Sequence, residues 1–284
     1  MLYQISHSTT YTYSDPVILQ PHLIRLRPRS DGWQSLKLFS MQVMPIPIAQ
    51  SELSDLDGNT LIKVWFSPEL TGSLTVQIVS QTQTHQANPF NYLLEPWAMS
   101  LPIDYPTSLF KQLQPYLGAT DAIALQLAYE IAERSSNQVT QFLYELTQQI
   151  YTNCEYVIRE TGNPYPPGLT WTQKKGSCRD LTVLFIEVCR SIGLAARFVS
   201  GYQEGDEDHP DRHLHAWAEV YLPGAGWRGY DPTHGLAVSD RHIAVAASAI
   251  PEYAAPVVGK VTRSGGVQST MDYTLQIQRI ADLM

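Results

Sequence analysis

Cys178 stands in the run Lys175-Gly176-Ser177-Cys178-Arg179-Asp180, directly ahead of an apolar helical pattern, and His215 and Asp231 follow on strand-like segments. These residue types in this layout are those of an activated thiol nucleophile. The attacking species is the thiolate, whereas an unperturbed cysteine, with a pKa of about 8.5, is mostly thiol near neutrality. A helix N-terminus presents unpaired N–H groups and the positive end of the peptide dipoles, both of which favour an anion. An imidazole within hydrogen-bond reach takes the thiol proton and returns it to the leaving group. A carboxylate on the far ring nitrogen sets the tautomer and steadies the imidazolium. Cys178, His215 and Asp231 fit these roles in chain order, and the chemistry implied is attack on an amide or ester carbonyl.

The elements that must position these residues are legible. Leu181, Leu184, Phe185, Val188, Cys189 and Ile192 follow the spacing of one buried helical face. Gly193 suits a left-handed C-terminal cap, and Ser177 suits the N-cap. Asp180 in the first turn complements the helix dipole and receives no catalytic role. His215, Trp217, Glu219 and Tyr221 share one face of an expected strand, with Ala216, Ala218 and Val220 on the other. Pro223 to Gly226 signals a turn, after which Trp227 to Tyr230 returns antiparallel and carries Asp231 back towards His215.

Four motifs in order make the chain familiar: Gly176-Ser177-Cys178-Arg179-Asp180, Ile192 to Tyr202, His215-Ala216-Trp217-Ala218-Glu219-Val220-Tyr221, and Gly226-Trp227 with Tyr230-Asp231-Pro232-Thr233. Together they resemble the bacterial transglutaminase-like superfamily over roughly residues 140 to 235. The resemblance implies a papain-like core with a Cys178, His215, Asp231 triad. The first ninety residues likewise resemble the β-sandwich-type N-terminal region that often precedes this core. Ser177 stands where the family more often has an apolar residue. The fold class expected is α+β, with a β-sandwich-like domain ahead of a nucleophile helix packed on an antiparallel sheet.

The function implied is a cysteine-dependent acyl-transfer enzyme working through a thioester, with a peptide or protein as substrate. Hydrolysis of peptide or isopeptide amides is preferred, because bacterial members are commonly read as cysteine proteases. Transglutaminase or deamidase action on glutamine side chains is the alternative. An inactive binding module is a third reading, against which the intact triad argues. The backbone N–H of Cys178 is the first expected oxyanion donor. Tyr156 and Trp171 are side-chain candidates for the second donor or for the cleft wall, and Trp217 is a further cleft candidate. Triad substitutions are expected to change stability by less than about 1 kcal/mol, as changes to a cleft rather than a core.

Composition narrows the classes further. With 284 residues, 44% hydrophobic and 16% charged, the chain is that of an ordinary globular protein. Its formal net charge of −8 argues against general binding of nucleic acid or anionic membrane. No run approaches the ~18 apolar residues of a membrane span, and the first residues lack signal-peptide character. Three cysteines give no disulfide framework, so a cytoplasmic location is expected. Cys154 and Cys189 are read as structural. His209, His213 and His215 lack a second ligand cluster, and nothing marks a calcium site, so no metal and no cofactor are expected. His234 is read as a loop residue near the site.

The expected organisation is a β-rich domain over 1–90, a proline-rich linker over 91–106, a catalytic core over 107–255 and a closing β-hairpin over 256–284. Strands are expected at Leu2 to Tyr13, Ile18 to Arg27, Ser35 to Pro45, Asn59 to Phe66 and Ser73 to Thr84, with turns at Asp15-Pro16, Asp31-Gly32, Asp57-Gly58 and Thr71-Gly72. Helices are expected at Ala122 to Glu133 and Gln138 to Tyr151. Asn163 to Gly168 reads as a loop bordering the cleft, and residues 236 to 250 are Ala-rich and ambiguous. Val257 to Thr262 and Thr270 to Arg279, separated by Ser264-Gly265-Gly266, form the expected hairpin.

Overall fold

Alternating apolar and polar residues build the N-terminal half into strands. They are β1 (Leu2–Leu19), β2 (His22–Ile24), β3 (Gln34–Met44), β4 (Ala49–Ser54), β5 (Thr60–Trp65) and β6 (Leu70–Thr84). The computed structural model describes residues 1–159, 161–205, 213–262 and 266–280. In it β1, β6 and β3 form one antiparallel sheet, and β2, β5 and β4 another. Tyr3, Ile5, Ile24, Val64, Val76 and Ile78 belong to the apolar core the two sheets share.

Several local expectations change, and Thr71-Gly72, expected as a turn, lies inside β6. Asp15-Pro16 does not end the first strand, because β1 runs on and absorbs the break as a register shift against β6 between Thr12 and Val17. Such an irregularity is where a strand tolerates the missing N–H of proline. β4 has no counterpart among the expected strands, since all of its residues are exposed and no alternation marks it.

The second half brings α1 (Thr107–Leu113), α2 (Ala122–Arg134), α3 (Val139–Asn153), β7 (Glu155–Tyr156), α4 (Pro167–Gln173), β8 (Lys175–Gly176) and α5 (Cys178–Ser191). The Asp121 carboxylate accepts from the N–H groups of Ile123 and Ala124 and so starts α2. The proline-rich stretch ahead of α1 is a strap rather than a loose tether: Ala98, Leu101, Ile103 and Tyr105 are buried in the core.

A sheet in the order β12-β11-β10-β9-β13 closes the fold, with β9 (Ala196–Gln203), β10 (His215–Leu222), β11 (Gly226–Asp231), β12 (Leu236–Ala237) and β13 (His242–Ser248). The ambiguous stretch thus supplies β12 and β13. Leu181, Leu184, Phe185 and Val188 of α5 share a core with Phe198, Ala216, Ala218 and Val220 of the sheet. Trp217 lies on the opposite face with Val199 and Ala247. The alternation read from β10 therefore puts its small residues under the nucleophile helix.

The last segments are β14 (Val257–Val258), β15 (Val261–Thr262) and β16 (Ser269–Ile280). They do not pair as the expected hairpin: β14 adds to β2, while β15 and β16 both add to β1. Residues Ser264 and Gly265 of the expected turn lie outside the described residues. From the five-stranded sheet under α5, Tyr202, Ile243 and Val245 enter the N-terminal core and join the two halves.

Gly201 on β9 faces His215 on β10 and Ala244 on β13. A Cβ there would stand 2.2 Å from the Ile243 carbonyl oxygen and 2.5 Å from the Trp217 ring. Gly201→Ala is expected to force the two strands apart and to cost roughly 1–3 kcal/mol. Urea unfolding measures this, and an unchanged midpoint would contradict it.

Candidate active site

Cys178 is the first residue of α5, at the helix end where backbone N–H groups lack intrahelical partners. The turn around it is organised by Asp180, which is fully buried. One Asp180 oxygen accepts from the Ser177 N–H and hydroxyl at 2.7 Å each; the other accepts from Arg159 at 2.5 Å and the Tyr165 N–H at 2.7 Å. Burial works against its charge, but the Tyr165 and Ser177 donors and Arg159 outweigh it and hold the carboxyl below the usual range. Asp180 thus does more than complement the helix dipole. It pins the segment 161–166 beside the thiol, and Arg159 offsets its charge.

His215 opens β10, and the hairpin returns Asp231 to it at the end of β11. The His215 Nε2 to Asp231 Oδ2 distance is 2.7 Å. Cys178 is among the groups whose charge acts on the ring. With Nε2 committed to Asp231, Nδ1 is the nitrogen left for the thiol. Burial alone would push the His215 imidazolium down; Asp231 and Cys178 outweigh it and push it up to about 10.

Asp231 is wholly buried and accepts five hydrogen bonds. The Thr233 and His234 N–H groups reach Oδ1 at 3.0 and 3.3 Å, an Asx-type turn that follows from Asp-Pro-Thr. Oδ2 receives His215, His234 Nδ1 at 2.8 Å and His242 Nε2 at 3.1 Å. Burial would raise its carboxyl, but the three imidazoles hold it well below the usual range. His215, Asp231 and His234 place ligand atoms within 4.8 Å of one another. His215 and His234 each also lie at hydrogen-bond distance from the same Asp231 oxygen.

The other expected site residues separate. Tyr156 on β7, paired beside Gly176, is 43% exposed. Burial pushes its hydroxyl up to about 12, and the charges of Cys178, Tyr273 and Asp231 add to that. Trp171 on α4 is half-buried against the helical core with Lys174 over its ring, and those are its contacts. Trp217 is 1% exposed, packs against the His215 and His242 rings, and lines a small cavity with His242 and Glu219. His213 bonds the Tyr273 hydroxyl of β16, bringing the last strand to the rim of the site. His209 lies outside the described residues. His242 was not anticipated, because nothing in the Ala-rich stretch sets its histidine apart; only strand pairing with β9 does.

A cysteine at a helix start, facing a hairpin-borne histidine and aspartate on this α+β scaffold, defines a transglutaminase-like protein with a papain-like core. Residues 125–232 match the model of the transglutaminase-like superfamily, residues 3–83 match that of the bacterial transglutaminase-like N-terminal region, and the chain belongs to this group. An uncharacterized protein of Mycobacterium tuberculosis is 29% identical over 260 residues, covering 86% of this chain and 82% of its own. A protein-glutamine gamma-glutamyltransferase of Pseudomonas aeruginosa is 34% identical over 71 residues, covering 22% of this chain and 11% of its own. The crystal structure of a "Putative Cysteine Protease" from Cytophaga hutchinsonii shares the fold, with a TM-score of 0.74, 21% identity, and coverage of 99% of this chain and 92% of that one.

The buried ion pair predicts a pH signature. Asp231 has a depressed folded pKa, so its stabilisation is present above its ordinary value of 3.8 and is lost as pH falls through the folded one. His215 has a raised one, so its stabilisation is complete below 6.5 and is lost as pH rises towards about 10. Unfolding free energy should therefore fall between those two values, and Asp231→Asn should flatten that fall. Asp231→Asn should also cost about 1–3 kcal/mol at neutral pH, more than expected of a cleft residue, because an amide cannot accept what the carboxylate accepts. Parallel wild-type and variant curves across this range would contradict the pairing.

Proposed function

We propose that the protein is a cysteine-dependent acyl-transfer enzyme in which Cys178 is the nucleophile, His215 the general base and acid, and Asp231 the residue that orients His215. The observation that carries this reading is His215 bonded at 2.7 Å to the buried Asp231 carboxylate, with Cys178 at the start of α5 among the groups that act on the His215 ring. With the proton already resting on His215 Nδ1, the Cys178 sulfur attacks the substrate carbonyl carbon as the thiolate. The oxyanion takes hydrogen bonds from the Cys178 backbone N–H and the Tyr156 hydroxyl, a reading supported by the pairing of Tyr156 with Gly176 two residues before Cys178. Collapse breaks the C–N bond, and His215 returns its proton to the departing amine. Water, deprotonated by His215, then hydrolyses the thioester and restores the thiol.

Hydrolysis of a peptide or isopeptide amide is our preferred outcome. The segment shared with the Pseudomonas glutamyltransferase supports a second outcome, in which an amine resolves the thioester. No helix among the described residues is long and apolar enough to cross a membrane. All three cysteines are free and buried, which supports a reducing, cytoplasmic setting. We place the N-terminal β-rich domain over 1–90, with 91–106 as the strap, 107–255 as the catalytic core and 256–284 completing the first domain's sheets.

A low dose of iodoacetamide followed by peptide mass mapping tests the reading. Burial pushes the Cys154 thiol up to about 11 and the Cys189 thiol well above its ordinary value, so both should stay unlabelled while Cys178 reacts. Equal slow labelling of all three would contradict an enzyme. With a glutamine-containing peptide and a fluorescent amine, new termini or glutamate side chains should form faster than the amine is incorporated. The reverse order would favour the transferase. Cys178→Ala should abolish acyl-enzyme formation, and Asp231→Asn should slow it by about 10²–10⁴.

A further inference from the structure

Asp231 Oδ2 is where three imidazoles converge, and only two of them come from the hairpin and turn that carry His215 and Asp231. The third, His242, opens β13 on the far side of β9. We propose that His242 is a positioning residue of the acyl-transfer site: a neutral, buried imidazole whose Nε2–H fixes Asp231 Oδ2 in line with His215. The inference rests on the function proposed above.

Tautomer and charge follow from the hydrogen bonds. An ionised carboxylate only accepts, so His242 Nε2 carries the proton and, in a neutral ring, Nδ1 is bare. Nδ1 is buried without a hydrogen-bond partner among the described residues, so protonating it would bury an unpaired N–H and a charge. Burial accordingly pushes the imidazolium down, although Asp231 opposes this. The titratable groups acting on the ring are Asp231, His215 and His234; Asp31, Glu219 and Asp240 line the small cavity it also borders. His242 therefore donates across the working pH range without adding a positive charge that would compete with His215.

The ring is also fixed in place. The Trp217 ring meets it edge-on at 5.2 Å between centroids. His234 is different: it belongs to the same turn as Asp231, and its side chain is 39% exposed, so water competes for its bond to Oδ2. His242 is 2% exposed and comes from a separate strand. It is the donor that ties the position of Oδ2 to the sheet rather than to the turn.

The test measures Cys178 alkylation by iodoacetamide from pH 5 to 10 in the full chain. His242→Phe keeps the ring volume and removes the donor. It should lower the rate at pH 7 by about 10–100-fold and move the onset of alkylation to higher pH, the loss expected for one hydrogen bond to a charged group. His242→Gln, whose amide N–H can occupy the Nε2 position, should recover most of the rate. A purely structural role would lower the melting temperature of both variants and leave the pH profile where it was, which overturns the proposal. So does a Gln variant as slow as Phe. Should His242→Phe fail to fold, ¹⁵N spectra of the wild-type ring decide instead: a neutral Nε2–H ring from pH 5 to 9 is expected, and an Nδ1–H tautomer or a charged ring overturns it. Failure of the acyl-transfer reading itself shows elsewhere, as wild-type Cys178 labelling no faster than Cys154 and Cys189.

Discussion

A carboxylate with no access to water must find in the protein what water would have given it, and Asp231 is that group here. Desolvating an anion costs several kcal/mol. The cost is offset only because five donors converge on it from β10, from β13 and from its own turn. Each donor needs its element in place: the hairpin for His215, the Asp-Pro-Thr turn for two backbone N–H groups, and the close strand approach at Gly201 for β13. Asp231 then holds His215 as an imidazolium beside the thiol, which is the arrangement thiol chemistry requires.

The nucleophile side uses the same device. Asp180 is a second buried carboxylate, and its donors are Ser177, Arg159 and the Tyr165 N–H. It ties the loop ahead of α4 to the first turn of α5. Arg179 reinforces this by donating to the carbonyls of Arg159 and Gly162. The thiol therefore sits between two anchored frames, and the contact of Tyr273 with His213 brings the N-terminal sheet to the edge of the same site. The β-rich half contributes a wall as well as a scaffold.

Much of this was legible in the residues. The periodicity from Leu181 to Ile192, the turn at Pro223 to Gly226 and the alternation of β10 locate the helix, the hairpin and the meeting of His215 with Asp231. What escaped depends on non-local pairing. β4 carries no alternation because neither of its faces is buried. The final segments look like a hairpin because a glycine-containing turn separates two strand-like runs, yet β1 offers β16 a long partner while the first run divides between β2 and β1. Trp217 shares the parity of His215, but parity alone does not say that its face of the sheet is covered, and Ala247 and His242 cover it. His242 lies in a run of small residues with no local signature. Only the pairing of β13 with β9 delivers it to Asp231.

The central claim is that the buried Asp231 keeps His215 charged next to Cys178. NMR titration of the His215 ring in the intact protein tests it most directly. The account predicts an imidazolium that persists through neutral pH and titrates near 10. A His215 ring that loses its proton at or below 6.5, the value of an unperturbed histidine, would contradict it.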